Sequence, residues 1–259
     1  MKAMPVMDLP YLIATAREAG RAILEVYETD FQVERKSDSS PITEADLRAH
    51  RVISDRLRER YPDIPVLSEE STEQVPYDIR RQWTRFWLVD PLDGTKGFVK
   101  RDGHFTVNIA LVENERPTMG VIYTPVLDLL YHGVDGEGAW KTEGGVRISL
   151  PVPRIVKGDG VVIAGSRFHP TPEMDVFLEE QRSEHGRVEF MAMGSSLKFC
   201  LVAEGVADLY PRFGPTMEWD TGAGHAIANA AGRKVIRLGS EEELRYNKPD
   251  LHNPGFIVR

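Results

Sequence analysis

Two aspartates three positions apart, bracketing a proline and followed by a glycine, form the sharpest chemical signal in the chain: Trp87-Leu88-Val89-Asp90-Pro91-Leu92-Asp93-Gly94-Thr95. Pro91 fixes its own φ and turns Asp90 away from helical geometry. Gly94 permits a tight turn. Such a turn can aim both carboxylates, and the Leu92 carbonyl between them, at one point. All are hard oxygen donors of the kind that magnesium and calcium take. A plain surface turn has the same composition, because Asp, Pro and Gly dominate turns for conformational reasons. Spacing alone leaves the two readings level.

Three further segments tilt the balance. Leu67-Ser68-Glu69-Glu70 puts acids just after an apolar stretch, Trp219-Asp220-Thr221-Gly222 opens a small-residue helix with an acid, and Pro41-Ile42-Thr43-Glu44-Ala45-Asp46 opens another. Each has a plainer reading as well. Glu69 and Glu70 could be solvated, Asp220 an ordinary N-cap, and Thr43 with Asp46 a capping-box-like start. Four such segments in one chain favour a shared site without fixing it.

The elements that must position these residues are partly readable. Leu12, Ala16, Ala19, Ile23 and Tyr27 recur at three- and four-residue steps, predicting an amphipathic helix over 8–28. The polar stretch Lys36 to Pro41 separates it from a second helix, starting near Thr43, that carries Ala49, Ile53 and Leu57 on one face and stops before Pro62. Phe86-Trp87-Leu88-Val89 reads as a strand buried on both faces. Phe105, Val107, Ile109 and Leu111 alternate with smaller or polar residues, which predicts a period-two strand. Runs near 118–124, 128–134 and 138–141 read as an antiparallel meander. Short strands near 161–164, 188–191 and 235–238 mix with helices near 173–182, 195–204 and 221–231. Gly and Pro cluster between 145 and 160, so we divide the chain into halves at 1–150 and 151–259, with helices layered on two sheets.

Bulk properties exclude several classes. With 32 basic and 40 acidic side chains, the net charge of −8 argues against a nucleic-acid polymer as partner. It does not exclude a small anion, since a metal ion can reverse the local field. The single cysteine, Cys200, lies in an apolar run and reads as a core thiol, leaving no disulfide framework or cysteine zinc site. No His-x-x-x-His spacing, P-loop, serine elbow or dinucleotide glycine motif appears, and His104 and His225 read as structural. With neither a signal segment nor a long apolar run, the expectation is a cytoplasmic protein, with peripheral contact at the inner membrane left open.

In sequence order, Thr-x-x-Asp, Glu-Glu, Asp-Pro-Leu-Asp-Gly-Thr and Trp-Asp resemble the signature of the inositol-monophosphatase superfamily. Gly194-Ser195-Ser196-Leu197-Lys198-Phe199-Cys200, Leu209-Tyr210-Pro211-Arg212-Phe213-Gly214-Pro215-Thr216 and Asn253-Pro254-Gly255-Phe256 resemble its CysQ-type bisphosphate-nucleotidase branch. The resemblance implies an α/β (α+β) fold, the layered αβαβα sandwich, and a magnesium-dependent phosphate-monoester hydrolase using two or three Mg²⁺. It implies metal ligands at Glu69, Asp90, the Leu92 carbonyl, Asp93 and Asp220, with Glu70 near the metal shell. Asp46, Glu69 and Thr95 would orient the attacking water, and Gly94 and Thr95 would meet the phosphate through backbone N–H groups.

Gly194, Ser195, Ser196 and Lys198 read on their own as a serine N-cap and a solvated lysine. With the resemblance, they and Arg212 become binders of a second phosphate on an adenosine bisphosphate, alongside Asp220. The substrate implied is 3′-phosphoadenosine 5′-phosphate, a by-product of sulfate assimilation, cleaved to AMP and phosphate; a homodimer is compatible with this. Inositol-phosphate members of the superfamily tend to place an acid near Arg212, where an arginine suits a phosphate instead. The rival is an inositol- or sugar-phosphate phosphatase. A different class, a nucleotide-binding protein with weak catalysis, is encouraged only by Gly97, where chains of this branch usually carry Glu.

Overall fold

The computed structural model describes residues 7–35, 41–152, 160–166 and 171–259. Helix α1 (Leu9–Tyr27) starts at Asp8, whose carboxylate accepts the Tyr11 N–H at 3.1 Å, and it buries Leu12, Ala16, Ala19 and Ile23 as its periodicity predicts. Strands β1 (Val33–Arg35) and β2 (Pro41–Thr43) form an antiparallel pair. Residues 36–40 of the polar stretch between the first two helices lie outside the described residues. Helix α2 (Glu44–Arg60) begins in a capping box: Thr43 Oγ1 accepts the Ala45 N–H, and Asp46 reaches back to the Thr43 N–H at 2.8 Å. Both ends of α2 carry the charges its dipole favours, Glu44 and Asp46 at the start, Arg58 and Arg60 at the finish.

A seven-stranded sheet forms the centre. Its strands are β3 (Val66–Ser68), β4 (Arg85–Asp93), β5 (Thr106–Glu113), β6 (Arg116–Thr124), β7 (Leu129–Val134), β8 (Gly138–Glu143) and β9 (Val146–Leu150), in that spatial order. β3 runs parallel to β4 and every later neighbour is antiparallel, so the expected meander is present. A 3₁₀ turn (Glu69–Gln74) and helix α3 (Tyr77–Arg80) connect β3 to β4, and helix α4 (Thr95–Val99) follows β4.

The later part of the chain supplies the remaining layers. β10 (Val161–Ser166) pairs in parallel with β11 (Val188–Met193), flanked by helix α5 (Pro172–His185). Helix α6 (Leu197–Glu204), strand β12 (Tyr210–Arg212) and helix α7 (Glu218–Ala230) follow, then β13 (Val235–Arg237) and β14 (Phe256–Val258). The last three strands make an antiparallel sheet of order β12-β14-β13. The layers therefore run α1/α2, large sheet, α6/α7, small strands and α5, the αβαβα sandwich expected from the resemblance.

Small residues set the central spacing. A Cβ on Gly120 of β6 would lie 2.3 Å from the Ala223 carbonyl oxygen of α7. Only glycine there lets the helix backbone lie directly on the sheet. β5 is the strand its alternation predicts, and both of its faces are buried from Thr106 to Val112. Val107, Ile109 and Leu111 join the core under α1 and α2, while Ala110 and Val112 pack in the core shared with α6 and α7. Among the described residues no helix is long and apolar enough to cross a membrane.

Candidate active site

Strand β4 ends in an irregularity. Its register against β5 shifts between Asp90 and Asp93, where Pro91 contributes no N–H to the ladder. Asp90 Oδ1 accepts the Leu92 N–H at 3.1 Å, and the Leu92 side chain is buried while its carbonyl accepts from Thr95 Oγ1 at 3.3 Å. Gly94 then takes φ +95° at the start of α4, a conformation that side chains disfavour. Asp220 arrives from another layer. It is the third residue of α7 rather than its N-cap, and its Oδ2 accepts the Met217 N–H at 2.8 Å.

This brings together Asp90, Asp93 and Asp220, each offering an oxygen within 4.8 Å of the others. Glu69, first residue of the 3₁₀ turn after β3, lines the same cleft and shares a hydrogen bond with Asp90. Burial holds the Asp90 carboxyl well above the ordinary range, with Glu69, Asp93 and Asp220 pushing the same way. Asp93 is raised by burial against the pull of Lys198, and Asp220 is pushed up to about 8 by burial and Asp93. Three carboxylates that repel one another, Asp90 buried and Asp93 and Asp220 half-buried, backed by a fourth, are a donor set that fits a divalent cation.

Thr95 Oγ1 stands 3.4 Å from Asp46 Oδ1, so the start of α2 meets the start of α4. Asp46 is buried, and its other oxygen accepts from Thr43 N and Oγ1 at 2.8 and 2.7 Å. Its capping role and its approach to Thr95 are therefore both real. Glu70, the next residue of the 3₁₀ turn, is half-buried and does not line the cleft.

The opposite wall of the cleft, whose volume is about 290 Å³, holds Gly194, Ser195, Ser196, Lys198 and Arg212. The plain reading of this segment fails on two counts. Ser196 sits at the N-cap of α6 but makes no capping bond. Its Oγ instead donates to Asn108 Oδ1 at 2.8 Å and lies 2.9 Å from Thr106 Oγ1. Lys198 is buried, donates to the Ser195 carbonyl, and stands over the Tyr210 ring at 5.3 Å. Burial, countered by Asp93, lowers its pKa to about 8. Arg212 Nε and Nη2 donate to the Gly214 and Pro215 carbonyls at 3.1 and 2.9 Å, a use that leaves Nη1 for a ligand.

Sequence reasoning did not place Thr221, His104, Lys96 or Ser166 in the cleft that they line, nor Asn108 behind it, which links the two walls through Ser196 and, at 3.5 Å, Asp93. A polar residue inside the apolar run of β5 was the available signal for Asn108. His225 matches its structural reading, buried between Tyr246 and Glu243. Cys200 is likewise a core thiol, its pKa raised well up by burial.

The fold and site together define a class, and the sequence agrees: the chain matches the inositol monophosphatase family profile over residues 8–258, and it belongs to that family. Within it, the chain is 51% identical over 245 residues to the 3′(2′),5′-bisphosphate nucleotidase CysQ of Salmonella typhimurium, covering 94% of this chain and 96% of that protein. It is 49% identical to the Escherichia coli CysQ nucleotidase over the same share of both chains. The crystal structure of CysQ from Bacteroides thetaiotaomicron superposes with a TM-score of 0.86 at 48% identity, covering 96% of this chain and 95% of that one.

Proposed function

We propose that this enzyme hydrolyses the 3′-phosphate of 3′-phosphoadenosine 5′-phosphate to give AMP and phosphate. The observation that carries the reading is the pairing of two opposite walls in one cleft: the Asp90–Asp93–Asp220 cluster faces buried Lys198 and half-buried Arg212. An acid cluster alone suits any phosphate monoester; two cations beside it suit a substrate with a second phosphate. The activity of the CysQ relatives supports the same choice.

Two or three magnesium ions held by Glu69, Asp90, the Leu92 carbonyl, Asp93 and Asp220 would supply an acidified water and neutralise the leaving oxygen. The protein's own residues do the positioning. Thr95 and Glu69 orient the water, and Asp46 fixes the Thr95 hydroxyl. The N–H groups of Gly94 and Thr95, at the first turn of α4, meet the phosphate. Lys198 and Arg212 hold the 5′-phosphate, with Gly194, Ser195 and Ser196 shaping its turn. The water oxygen joins phosphorus, the bond from phosphorus to the 3′ oxygen breaks, and that oxygen ends protonated.

Phosphate release from the nucleotide, with and without magnesium and beside inositol 1-phosphate, tests the proposal. Arg212→Glu should raise the KM for the nucleotide by about ten- to a hundredfold and leave the inositol ester nearly unchanged. Preference of the unaltered enzyme for inositol 1-phosphate would discard the roles of Lys198 and Arg212.

A further inference from the structure

The space beside Gly97 in α4 is filled by a side chain from further along the chain. A Cβ built on Gly97 would fall 2.6 Å from Asp102 Oδ1 and 3.2 Å from its Cγ. The Asp102 carboxylate thus lies flat on the bare backbone of α4, and the Asp102 N–H closes the loop by donating to the Gly97 carbonyl at 3.1 Å. The same Oδ1 accepts the N–H of His104 at 2.9 Å.

His104 is where the two walls of the cleft touch. A Cβ on Gly94 would sit 3.2 Å from the His104 carbonyl oxygen, and one on Gly194 would sit 2.9 Å from that oxygen and 3.2 Å from His104 Cβ. The His104 backbone is therefore wedged between two glycines, one in the turn after the metal-binding aspartates and one in the turn before Lys198. Ser195 Cβ, 3.3 Å from the same Gly94 position, completes the contact. Whatever fixes His104 fixes the distance between these turns.

We propose that Asp102 is a positioning residue for phosphate binding: seated against Gly97, its carboxylate locks the His104 backbone between Gly94 and Gly194 and sets the spacing of the two anion subsites. The proposal rests on the nucleotidase reading for the identity of those subsites. A carboxylate accepting a backbone N–H makes one of the stronger protein hydrogen bonds, and small misplacements of binding groups are costly in phosphate transfer. Positions 97 and 102 are then one unit. A side chain at 97, Glu included, displaces the carboxylate rather than adding a useful group.

The test is a cycle of Gly97→Ala, Asp102→Ala and the double variant, with Asp102→Asn as the conservative control that keeps an Oδ1 acceptor. Asp102→Ala should raise the nucleotide KM and the inhibition constant of inorganic phosphate about tenfold, with kcat within about threefold. Asp102→Asn should stay within about twofold of the unaltered enzyme. Gly97→Ala should mimic Asp102→Ala alone and add nothing to it in the double variant. The half-saturating magnesium concentration should not move. Unchanged phosphate affinity in Asp102→Ala, additive effects at 97 and 102, or a shift in magnesium dependence would each overturn the proposal. Calorimetric binding of inorganic phosphate with magnesium gives the same comparison if the nucleotide proves not to be the substrate, which separates failure of that reading from failure of this one.

Discussion

Two acids in the first turn of one helix are surrounded in opposite ways. Glu218 is fully buried, yet its oxygens accept the N–H of Asn247 at 2.6 Å, the N–H of Lys248 at 3.0 Å, and the Lys248 ammonium. Nearby, buried Arg80 donates to the Asn247 side chain and to the Lys248 and Pro249 carbonyls. Every charge there has an opposite charge or a dipole aimed at it. Two residues further along α7, Asp220 shares its cleft with Asp90 and Asp93, charges of its own sign. Buried charges persist in proteins when paired, and an unpaired like-charged group signals a missing ligand. The contrast lies in their partners more than in their burial: Glu218 is fully buried and Asp220 half-buried, but only Glu218 has an opposite charge against it.

The largest effects should come from removing one charge on each side of that contrast. Asp93→Asn should lower kcat by about a thousandfold or more, because the cation loses a ligand. In chelator the same variant should melt higher than the unaltered protein, because one repelling carboxylate is gone. Activity within tenfold, or a lower melting temperature in chelator, would break the contrast. Glu218→Ala should do the reverse, costing about 3–5 kcal/mol of stability by leaving Lys248 and two N–H groups without their acceptor. Urea unfolding measures it, and a cost equally large at Asp93 would show that the two acids are not different in kind.

A smaller effect follows from the raised carboxyls. Asp220 has its native pKa pushed up to about 8 from an ordinary 3.8, and Asp90 and Asp93 are raised as well. These cleft carboxyls bind more protons in the native metal-free protein than in the unfolded chain, so the stability they contribute falls as pH rises from about 4 to about 8, while buried histidines such as His132 work the other way below about 6.5. Lys198 opposes this only above about 8, its lowered pKa. Melting temperature in chelator should decline by several degrees from about pH 5 to pH 8, and excess magnesium should abolish the slope. A slope of equal size with magnesium bound would place its origin outside the cleft.

How much of this was legible follows the locality of each signal. The Asp90-Pro91-Leu92-Asp93-Gly94 turn and the Thr43–Asp46 box were readable because neighbouring residues determine them. Helices α1 and α2 were readable because nineteen and seventeen residues carry a clear period. Strands β3, β12 and β14, three residues each, carry no period at all. The alternation in β5 did not show that its second face is buried, because Thr106, Asn108 and Ala110 are polar or small. They are so because α7 lies close against the sheet: a Cβ on Gly222 would come within 3.3 Å of Ala110 Cβ. The burial of Lys198 and the backbone contacts of His104 were not legible for a related reason. Their placement depends on chain segments from the other half, and His104 acts through its backbone, which residue type does not advertise.

The smallest effect belongs to a third kind of buried polar group. His132 of β7 is 2% exposed and stacks on Trp140 at 5.3 Å, with Arg147 over the far ring at 4.2 Å, and neither ring nitrogen has a hydrogen-bond partner among the described residues. Burial, helped by Arg147, lowers its pKa to about 4 from 6.5. It is neutral, so it lacks the repulsion of the cleft acids, and it is unpaired, so it lacks the satisfaction of Glu218. His132→Phe keeps the stacking and removes two unsatisfied polar atoms, and it should stabilise the protein by about 1 kcal/mol at neutral pH, roughly 2–4 °C in melting temperature. Because the native imidazole resists protonation, the unfolded state takes up the extra proton as pH falls below 6.5, and the gain from Phe should be greater near pH 5 than near pH 8. Phosphate release should be unchanged, since His132 does not line the cleft. A loss of stability that is constant with pH would mean that His132 is satisfied after all, and that an unpaired polar atom at this sheet face is no guide to where the protein is under strain.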